Sequence, residues 1–132
     1  MADTISTFLM FQDGRAEEAM RLYVSLFDGA SIEAIQHWGP GEAGTEGQVK
    51  LASFSLAGHR LRCSDSPPVH DFGFTPSVSL FVDCRDETEL EKLFAELSRD
   101  GRVLMPPNDY GFSRRFGWCD DRYGVSWQLN LA

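Results

Sequence analysis

The sequence is poor in positive charge. Of its 132 residues, 12 are Lys or Arg and 20 are Asp or Glu, which gives a formal net charge of -8 and an isoelectric point near 4.7. Because this balance repels phosphate backbones and anionic lipid surfaces, we expect neither nucleic acid nor a membrane as a partner. Long apolar runs are also lacking, since none approaches the roughly 20 residues of a membrane span. The N-terminus has no basic start followed by an apolar stretch, so we expect no signal peptide.

Cysteine is scarce as well. Cys63, Cys84 and Cys119 are odd in number, far apart and without a C-x-x-C spacing. This pattern is not that of a disulfide framework. It predicts three buried free thiols and a reducing, cytoplasmic location.

Histidine, the commonest metal ligand, occurs three times. His37, His59 and His70 lack the close spacing of a zinc-binding helix or knuckle, so surface or turn positions are expected. No G-x-S-x-G motif is present, and no pair of cysteine and histidine suggests nucleophilic catalysis. One alternative stays open: His70, with Asp71, could act as an acid or base in a mobile loop.

The hydrophobic fraction of 42% and the aromatic fraction of 12% suit one folded domain and argue against disorder. In the first half, the helix signal is the apolar 3-4-3-4 spacing from Ala16 to Phe27. Gly58-His59 reads as a two-residue hairpin turn. The expected strands of this half are 5–11, 31–38, 49–56 and 60–64.

The second half repeats this order of elements after Pro67-Pro68. Asp86 followed by Glu89 resembles a capping box, and the helix behind it ends near Gly101. The expected strands are 77–82, 102–105, 114–119 and 125–131, with a turn at 106–109. A shift of 71 residues maps Leu9 onto Leu80 and also keeps the two helices in phase, which indicates an internal duplication. We therefore predict one domain of two modules, at about 1–66 and 74–132.

Two stretches of sequence resemble a known family. The opening is Phe8-Leu9-Met10-Phe11 followed by Asp13-Gly14-Arg15-Ala16-Glu17-Glu18-Ala19-Met20, and the ending, Asp121 to Asn130, carries the pattern D-x-[FY]-G-V-x-W. Both are similar to the PhnB-like branch of the vicinal oxygen chelate superfamily, which includes glyoxalases, bleomycin resistance proteins and extradiol dioxygenases. That branch often bears the label 3-demethylubiquinone-9 3-methyltransferase.

The resemblance implies an α+β fold. Two βαβββ modules would form a curved, mostly antiparallel eight-stranded cavity with the helices outside, and the protein would be a homodimer. In the closing pattern, the resemblance makes Asp121 a turn residue. Two short basic clusters, Arg114-Arg115 and Arg60-x-Arg62, are interpreted as surface charge balance, with a clamp for a carboxylate or phosphate as the alternative.

The resemblance also implies a divalent metal held by His and Glu side chains on the first and last strands of each module. The corresponding residues here are Ser6 or Phe8, Ser77 or Ser79, Arg62 and Gln128. Arginine cannot bind a cation and glutamine is a weak ligand, so we expect no metal and no other cofactor. The catalytic residues, if there are any, remain unknown.

The expected function is binding of a small, partly apolar organic molecule in the cavity, with Arg62 and Gln128 as polar anchors. One alternative is a lyase, isomerase or dioxygenase-like enzyme that uses a metal or a loop acid-base residue. Another is a dimeric protein that binds a protein partner and no small ligand. Methyl transfer is not expected, because no Gly-rich strand-to-helix loop is available for S-adenosylmethionine. The expected ligand-binding residues are Phe8, Met10, Arg62, Ser79, Phe81, Phe112, Trp118 and Gln128.

Overall fold

The computed structural model describes residues 2–132, which form strands and helices in the order strand, helix and three strands, followed by the same order again. The chain divides into two compact units, one ending at Asp71 and the other running from Phe72 to Ala132. Each unit contains one helix and one four-stranded mixed sheet. The expected α+β class is therefore confirmed. Neither helix in residues 2–132 is long and apolar enough to cross a membrane.

Unit one is a sheet covered by one helix. Its strands lie in the order β1-β4-β3-β2, with β1 parallel to β4 and the other neighbours antiparallel. The helix packs on β2, β3 and β4, and the stacked rings of Tyr23 and Phe54 lie 6.5 Å apart between centroids. The elements are β1 (Thr7–Phe11), α1 (Ala16–Leu26), β2 (Ser31–His37), β3 (Val49–Leu56) and β4 (His59–Asp65).

Unit two has the same topology. Its order is β5-β8-β7-β6, with β5 parallel to β8, and its helix packs on β6, β7 and β8. A Cβ atom at Gly117 would lie 2.8 Å from the Phe94 ring, so glycine lets the helix approach the sheet closely. The elements are β5 (Ser79–Asp83), α2 (Glu87–Ser98), β6 (Arg102–Asn108), β7 (Arg115–Asp120) and β8 (Ser126–Leu131).

The two helices begin with different caps. At α2, Asp86 accepts a hydrogen bond from Glu89 N at 2.8 Å, which confirms the predicted cap. At α1, the residue before the helix makes no side-chain cap. Instead, buried Asp65 on β4 accepts from Ala16 N at 3.0 Å and from Val49 N at 2.9 Å. A single carboxylate thus joins the start of α1 to two strands.

Two predicted turns are wrong. The hairpin turn is Ala57-Gly58, with φ values of 48° and 84°, and His59 begins β4. Positive φ at both turn residues gives the twist that a two-residue hairpin needs. Pro106 and Pro107 lie inside β6 rather than in a turn. Because β6 is an edge strand with a register irregularity at this point, the missing N–H groups cost little.

The repeat is real, but its register in the first strands differs from the prediction. Leu9 pairs with Cys63, and Val82 pairs with Leu129 at the corresponding place in unit two. Leu9 therefore corresponds to Val82, two residues beyond the predicted Leu80. The connection from strand to helix is one residue shorter in unit two, with three residues against four in unit one. A shift of two residues keeps every side chain on its face of the sheet, so the expected faces are unaffected.

All three cysteines are free and buried, as predicted. Burial raises the pKa of Cys63 and of Cys119 to about 12, and that of Cys84 to about 11. Neighbouring carboxylates act in the same direction. These thiols are therefore protonated at neutral pH and have little nucleophilic character.

Candidate functional site

In unit one, an exposed aromatic side chain lies beside an arginine on the sheet face away from buried Leu9 and Cys63. Phe8 on β1 pairs with Arg62 on β4, and Arg62 pairs in turn with Ser53 on β3. Because side chains alternate along a strand, all three lie on the same face. Phe8 is 53% exposed.

Arg62 stands apart from the other arginines. Within residues 2–132, it is the one arginine of ten that makes neither a hydrogen bond nor an ion pair with the protein. Arg60, two residues earlier, lies 3.4 Å from the carboxylate of Glu33. An unpaired guanidinium in a protein of net charge -8 is available to an anionic group. Half-buried Met10 adds apolar surface on the same face.

In unit two, the equivalent face carries a row of three side chains. Gln128 on β8 pairs with Phe81 on β5 and with Trp118 on β7, so the glutamine lies between two aromatic residues. Phe81 is 56% exposed. Ser79 and Ser126 form the neighbouring pair on this face. Four of the expected ligand-binding residues are therefore brought together by three adjacent strands.

An aromatic cluster extends this face. The Phe116 ring lies 5.0 Å from that of Phe112, 6.4 Å from that of Phe81 and 6.3 Å from that of Tyr110, measured between centroids. These rings leave Phe116 only 5% exposed, whereas Phe112 is 63% exposed. Neither Tyr110 nor Phe116 was among the expected site residues. Phe116 is two residues from Trp118 on β7, so the two side chains lie on the same face, and this spacing could have identified Phe116 as a site residue.

The polar groups of this face form one hydrogen-bonded chain. Trp118 Nε1 donates to Ser126 Oγ at 2.9 Å, and Ser126 Oγ lies 2.7 Å from Ser79 Oγ. Ser79 Oγ also lies 3.4 Å from the Pro76 carbonyl oxygen, to which it donates, and it accepts from Gln128 Nε2 at 3.3 Å. Buried Ser126 was not predicted; it is the variable position of the V-x-W motif.

These residues do not fit the metal that the resemblance implies. The register places Phe8 beside Arg62 and Phe81 beside Gln128, at the first-strand and last-strand positions. A benzene ring has no lone pair to donate, and a guanidinium repels a cation. Within residues 2–132, no group of three or more His, Cys, Asp or Glu side chains is placed to hold a metal ion.

All three histidines belong to unit one, whereas the row of Gln128 belongs to unit two. His37 Nε2 lies 2.9 Å from Glu17 Oε1, and this hydrogen bond is the main cause that lowers the pKa of Glu17. His59 Nε2 lies 2.9 Å from Thr7 Oγ1. His70 is in an exposed loop, outside any helix or strand.

Asp121 has a structural role, as predicted. Its Oδ1 accepts from Tyr123 N at 2.9 Å and from Val125 N at 3.0 Å, and its Oδ2 accepts from Trp127 Nε1 at 2.9 Å. Gly124 supplies the positive φ of 92° that the turn requires. The closing sequence pattern therefore builds a turn and not a ligand site.

A separate cleft of about 380 Å³ lies at the start of α2. Arg115 pairs there with Glu91 and more distantly with Glu87, and Arg85 pairs with Glu89. Charge balance thus explains Arg115, and none of the expected site residues is in the cleft. Its lining residues are Arg85, Asp86, Glu87, Arg114, Arg115 and Leu131.

Two βαβββ units, each with a helix on one sheet face, define the glyoxalase class of fold. A Sphaerobacter thermophilus structure described as a member of the glyoxalase/bleomycin resistance protein/dioxygenase superfamily matches with a TM-score of 0.58. The match covers 98% of each chain at 18% identity, so it shows the fold alone.

Within this class, the family model described as 3-demethylubiquinone-9 3-methyltransferase matches residues 3–130, and the chain belongs to that family. A Bacillus cereus structure described as a PhnB protein is 49% identical with a TM-score of 0.94, covering 98% of this chain and 100% of that one. Protein PA1353 from Pseudomonas aeruginosa is 26% identical with a TM-score of 0.83, covering 98% of each chain.

A curated relative matches over a shorter stretch. Protein YjdN from Escherichia coli K12 is 24% identical over 84 residues, which is 64% of this chain. The match spans 56% of YjdN, or about half of its length.

Proposed function

We propose that this protein binds a small, partly apolar organic molecule on the sheet faces opposite its helices, without a resident metal. The observation that carries the proposal is the same pairing in both units: an exposed first-strand phenylalanine beside a polar last-strand side chain. The pairs are Phe8 with Arg62 and Phe81 with Gln128. Small-molecule sites typically combine aromatic surface with a few polar groups in this way.

The exposed rings favour a ligand because covering apolar surface is worth roughly 25 cal/mol per Å². In unit two, Phe81 and Phe112 are both more than half exposed while they contact Phe116. The two faces contain all of the expected ligand-binding residues except Phe112, which lies in the loop before β7 and joins the face through its contact with Phe116.

We place methyl transfer outside this function, although the family description names it. The nucleotide part of S-adenosylmethionine is usually held by a Gly-rich loop between a strand and a helix, with an acidic residue after it. The corresponding loop at 12–15 contains one glycine, and that at 84–86 contains none. Calorimetric titration with S-adenosylmethionine is expected to give no binding heat, and stoichiometric binding would overturn this part.

The remaining parts of the proposal concern assembly and location. We place the two units as modules of one domain, in a homodimer located in the cytoplasm. The buried free thiols agree with a reducing compartment, and the net charge of -8 disfavours nucleic acid and anionic membranes as partners. Light scattering on the purified protein tests the dimer, because a monomeric mass at micromolar concentration contradicts it.

The binding test is an NMR titration of the full chain with 4-methylphenol, a small ring with one polar group. We expect saturable shifts at the Trp118 indole, with a dissociation constant of about 1 mM for so small a probe. Phe81→Ser should weaken this binding. Val103→Ser is the matched control, since Val103 is 48% exposed on the same sheet but pairs with buried Cys119 on the other face.

Two results would contradict the proposal. One is the absence of saturable shifts in both units with 4-methylphenol and with benzoate, and the other is equal weakening by Phe81→Ser and Val103→Ser. The proposal that the protein has no resident metal is tested separately, by measuring the metal content of protein purified from defined medium. Stoichiometric Zn, Mn, Ni or Fe would favour an enzyme of the metal-dependent kind.

A further inference from the structure

Gln128 occupies the centre of the helix-free face of unit two, between Phe81 and Trp118. A glutamine amide can present either its NH₂ group or its oxygen to a ligand. Which of the two is presented decides whether the ligand must accept or donate a hydrogen bond. The neighbouring hydroxyl groups determine this orientation.

The direction of the chain is set at Trp118. An indole nitrogen only donates, so Ser126 Oγ accepts the 2.9 Å bond from Trp118 Nε1. Ser79 has one hydroxyl hydrogen, and it goes to the carbonyl oxygen of Pro76. The 2.7 Å contact between the two serines therefore uses the hydrogen of Ser126.

Ser79 then has no hydrogen left for Gln128 and can only accept from it. The NH₂ group of Gln128 consequently faces Ser79, with Nε2 3.3 Å from Oγ. Its Oε1 atom faces away from the serine. No group within residues 2–132 donates to this oxygen, and the side chain is only half-buried.

We infer that Gln128 Oε1 accepts a hydrogen bond from the ligand, so that unit two selects ring compounds carrying a hydroxyl or N–H group. This inference rests on the proposed function, because it assumes that a small molecule covers Phe81. The exposed Phe81 ring makes apolar contact with the ligand. The amide oxygen of Gln128 requires the ligand to donate a hydrogen bond. Ring compounds that can only accept hydrogen bonds are disfavoured, since they would leave Oε1 covered and unpaired.

The experiment compares 4-methylphenol with 4-methylanisole, which share a ring and a methyl group but differ in the O–H donor. NMR titration of the ¹⁵N-labelled full chain gives both affinities, and the Gln128 side-chain amide and the Trp118 indole report the location. We expect the phenol to bind about three- to tenfold more tightly. Its binding should shift the Gln128 amide signals.

Three variants separate orientation from simple contact. Gln128→Leu should reduce the ratio of the two affinities to about one, since the acceptor is gone. Ser79→Ala should also reduce the ratio, because the amide loses the group that orients it. Ser79→Thr keeps the hydroxyl and should retain the native ratio.

The outcomes distinguish the inference from the proposed function. Equal affinity for the two compounds in the native protein, with both weakened by Phe81→Ser, overturns the inference and leaves the binding proposal intact. Tighter binding of the anisole also overturns the inference. If neither compound binds, this inference fails together with the unit-two part of the proposed function.

Discussion

Asp121 Oδ2 accepts a 2.9 Å hydrogen bond from the indole Nε1 of Trp127, six residues along the chain. The other carboxylate oxygen holds the backbone of the turn between them. Both side chains are almost fully buried, so this contact fixes where β8 begins. The most specific part of the family pattern therefore specifies the fold of unit two, and the ligand-facing residues are the less distinctive ones around it.

Removing the Asp121 carboxylate is expected to destabilise the protein strongly. Asp121→Ala removes the acceptor of three hydrogen bonds from buried donors, which costs about 3 kcal/mol in the free energy of unfolding. Urea unfolding followed by tryptophan fluorescence measures this change. Asp71→Ala is the control, since Asp71 is exposed and the change there should cost less than about 0.5 kcal/mol. Equal midpoints for the two variants would contradict the structural role.

The two helix caps are expected to differ in their importance for stability. Asp86→Ala removes an exposed cap bond and should cost about 1 kcal/mol. Asp65→Ala should cost about 2 to 3 kcal/mol, because the 2% exposed carboxylate serves donors on both α1 and β3. Urea midpoints of the two variants test the order, and a larger loss for Asp86→Ala would contradict it.

The contrast between these caps shows what could be predicted from the sequence. Asp86 and Glu89 are three residues apart, so local spacing was sufficient to identify the cap. Asp65 lies 49 residues from the backbone group it caps, and no local pattern indicates that contact. Element order was predictable for the same reason, since helix and strand periodicities are local. The strand through Pro106 was missed because its edge position depends on the whole sheet.

The candidate site also combines features that local sequence patterns predict with features that depend on long-range contacts. Alternation along β1, β5 and β8 was enough to place Phe8, Phe81 and Gln128 on helix-free faces. Tyr110 lies in an irregular loop, and its contact with Phe116 depends on how that loop returns to the sheet. The orientation of the Gln128 amide depends on the hydrogen-bond partners of Ser79, and no sequence pattern indicates those partners.

The cysteines are expected to resist alkylation in the folded protein. At pH 8, a thiol with a pKa of about 12 has roughly a thousandfold less thiolate than one with the ordinary cysteine pKa of 9.0. Iodoacetamide labelling followed by mass spectrometry should therefore show slow reaction of the native chain. Cys84, with a pKa of about 11, should react first. Urea-unfolded protein should label rapidly at all three positions.

The raised pKa values of the three cysteines also make the stability of the protein depend on pH. The unfolded thiols lose protons above about pH 9, whereas the folded ones keep theirs until about pH 11 to 12. The unfolded state then binds fewer protons, so the free energy of unfolding falls as pH rises through this window. Urea midpoints at pH 8 and pH 10 measure the trend. A rise in stability over this interval would contradict the burial of the thiols.

The unpaired guanidinium of Arg62 is expected to give unit one a preference for carboxylates. Arg62→Met keeps the apolar length of the side chain and removes its charge. This substitution should weaken binding of benzoate by about three- to tenfold at low salt. Added salt should bring the benzoate affinities of the native protein and the variant closer together, because exposed charges are screened. NMR titration of the Phe8 ring signals measures this affinity.

Arg60→Met is the matched control for this prediction, because it removes the same charge from a residue that already pairs with Glu33. Both variants change the net charge equally, so a purely long-range effect would weaken benzoate binding to the same extent in each. Local recognition instead requires a clear loss in Arg62→Met and an affinity within about twofold of native in Arg60→Met. The affinity for toluene, which has the ring but no carboxylate, should be unchanged by either substitution. Equal losses for benzoate would mean that Arg62 is not an anion anchor.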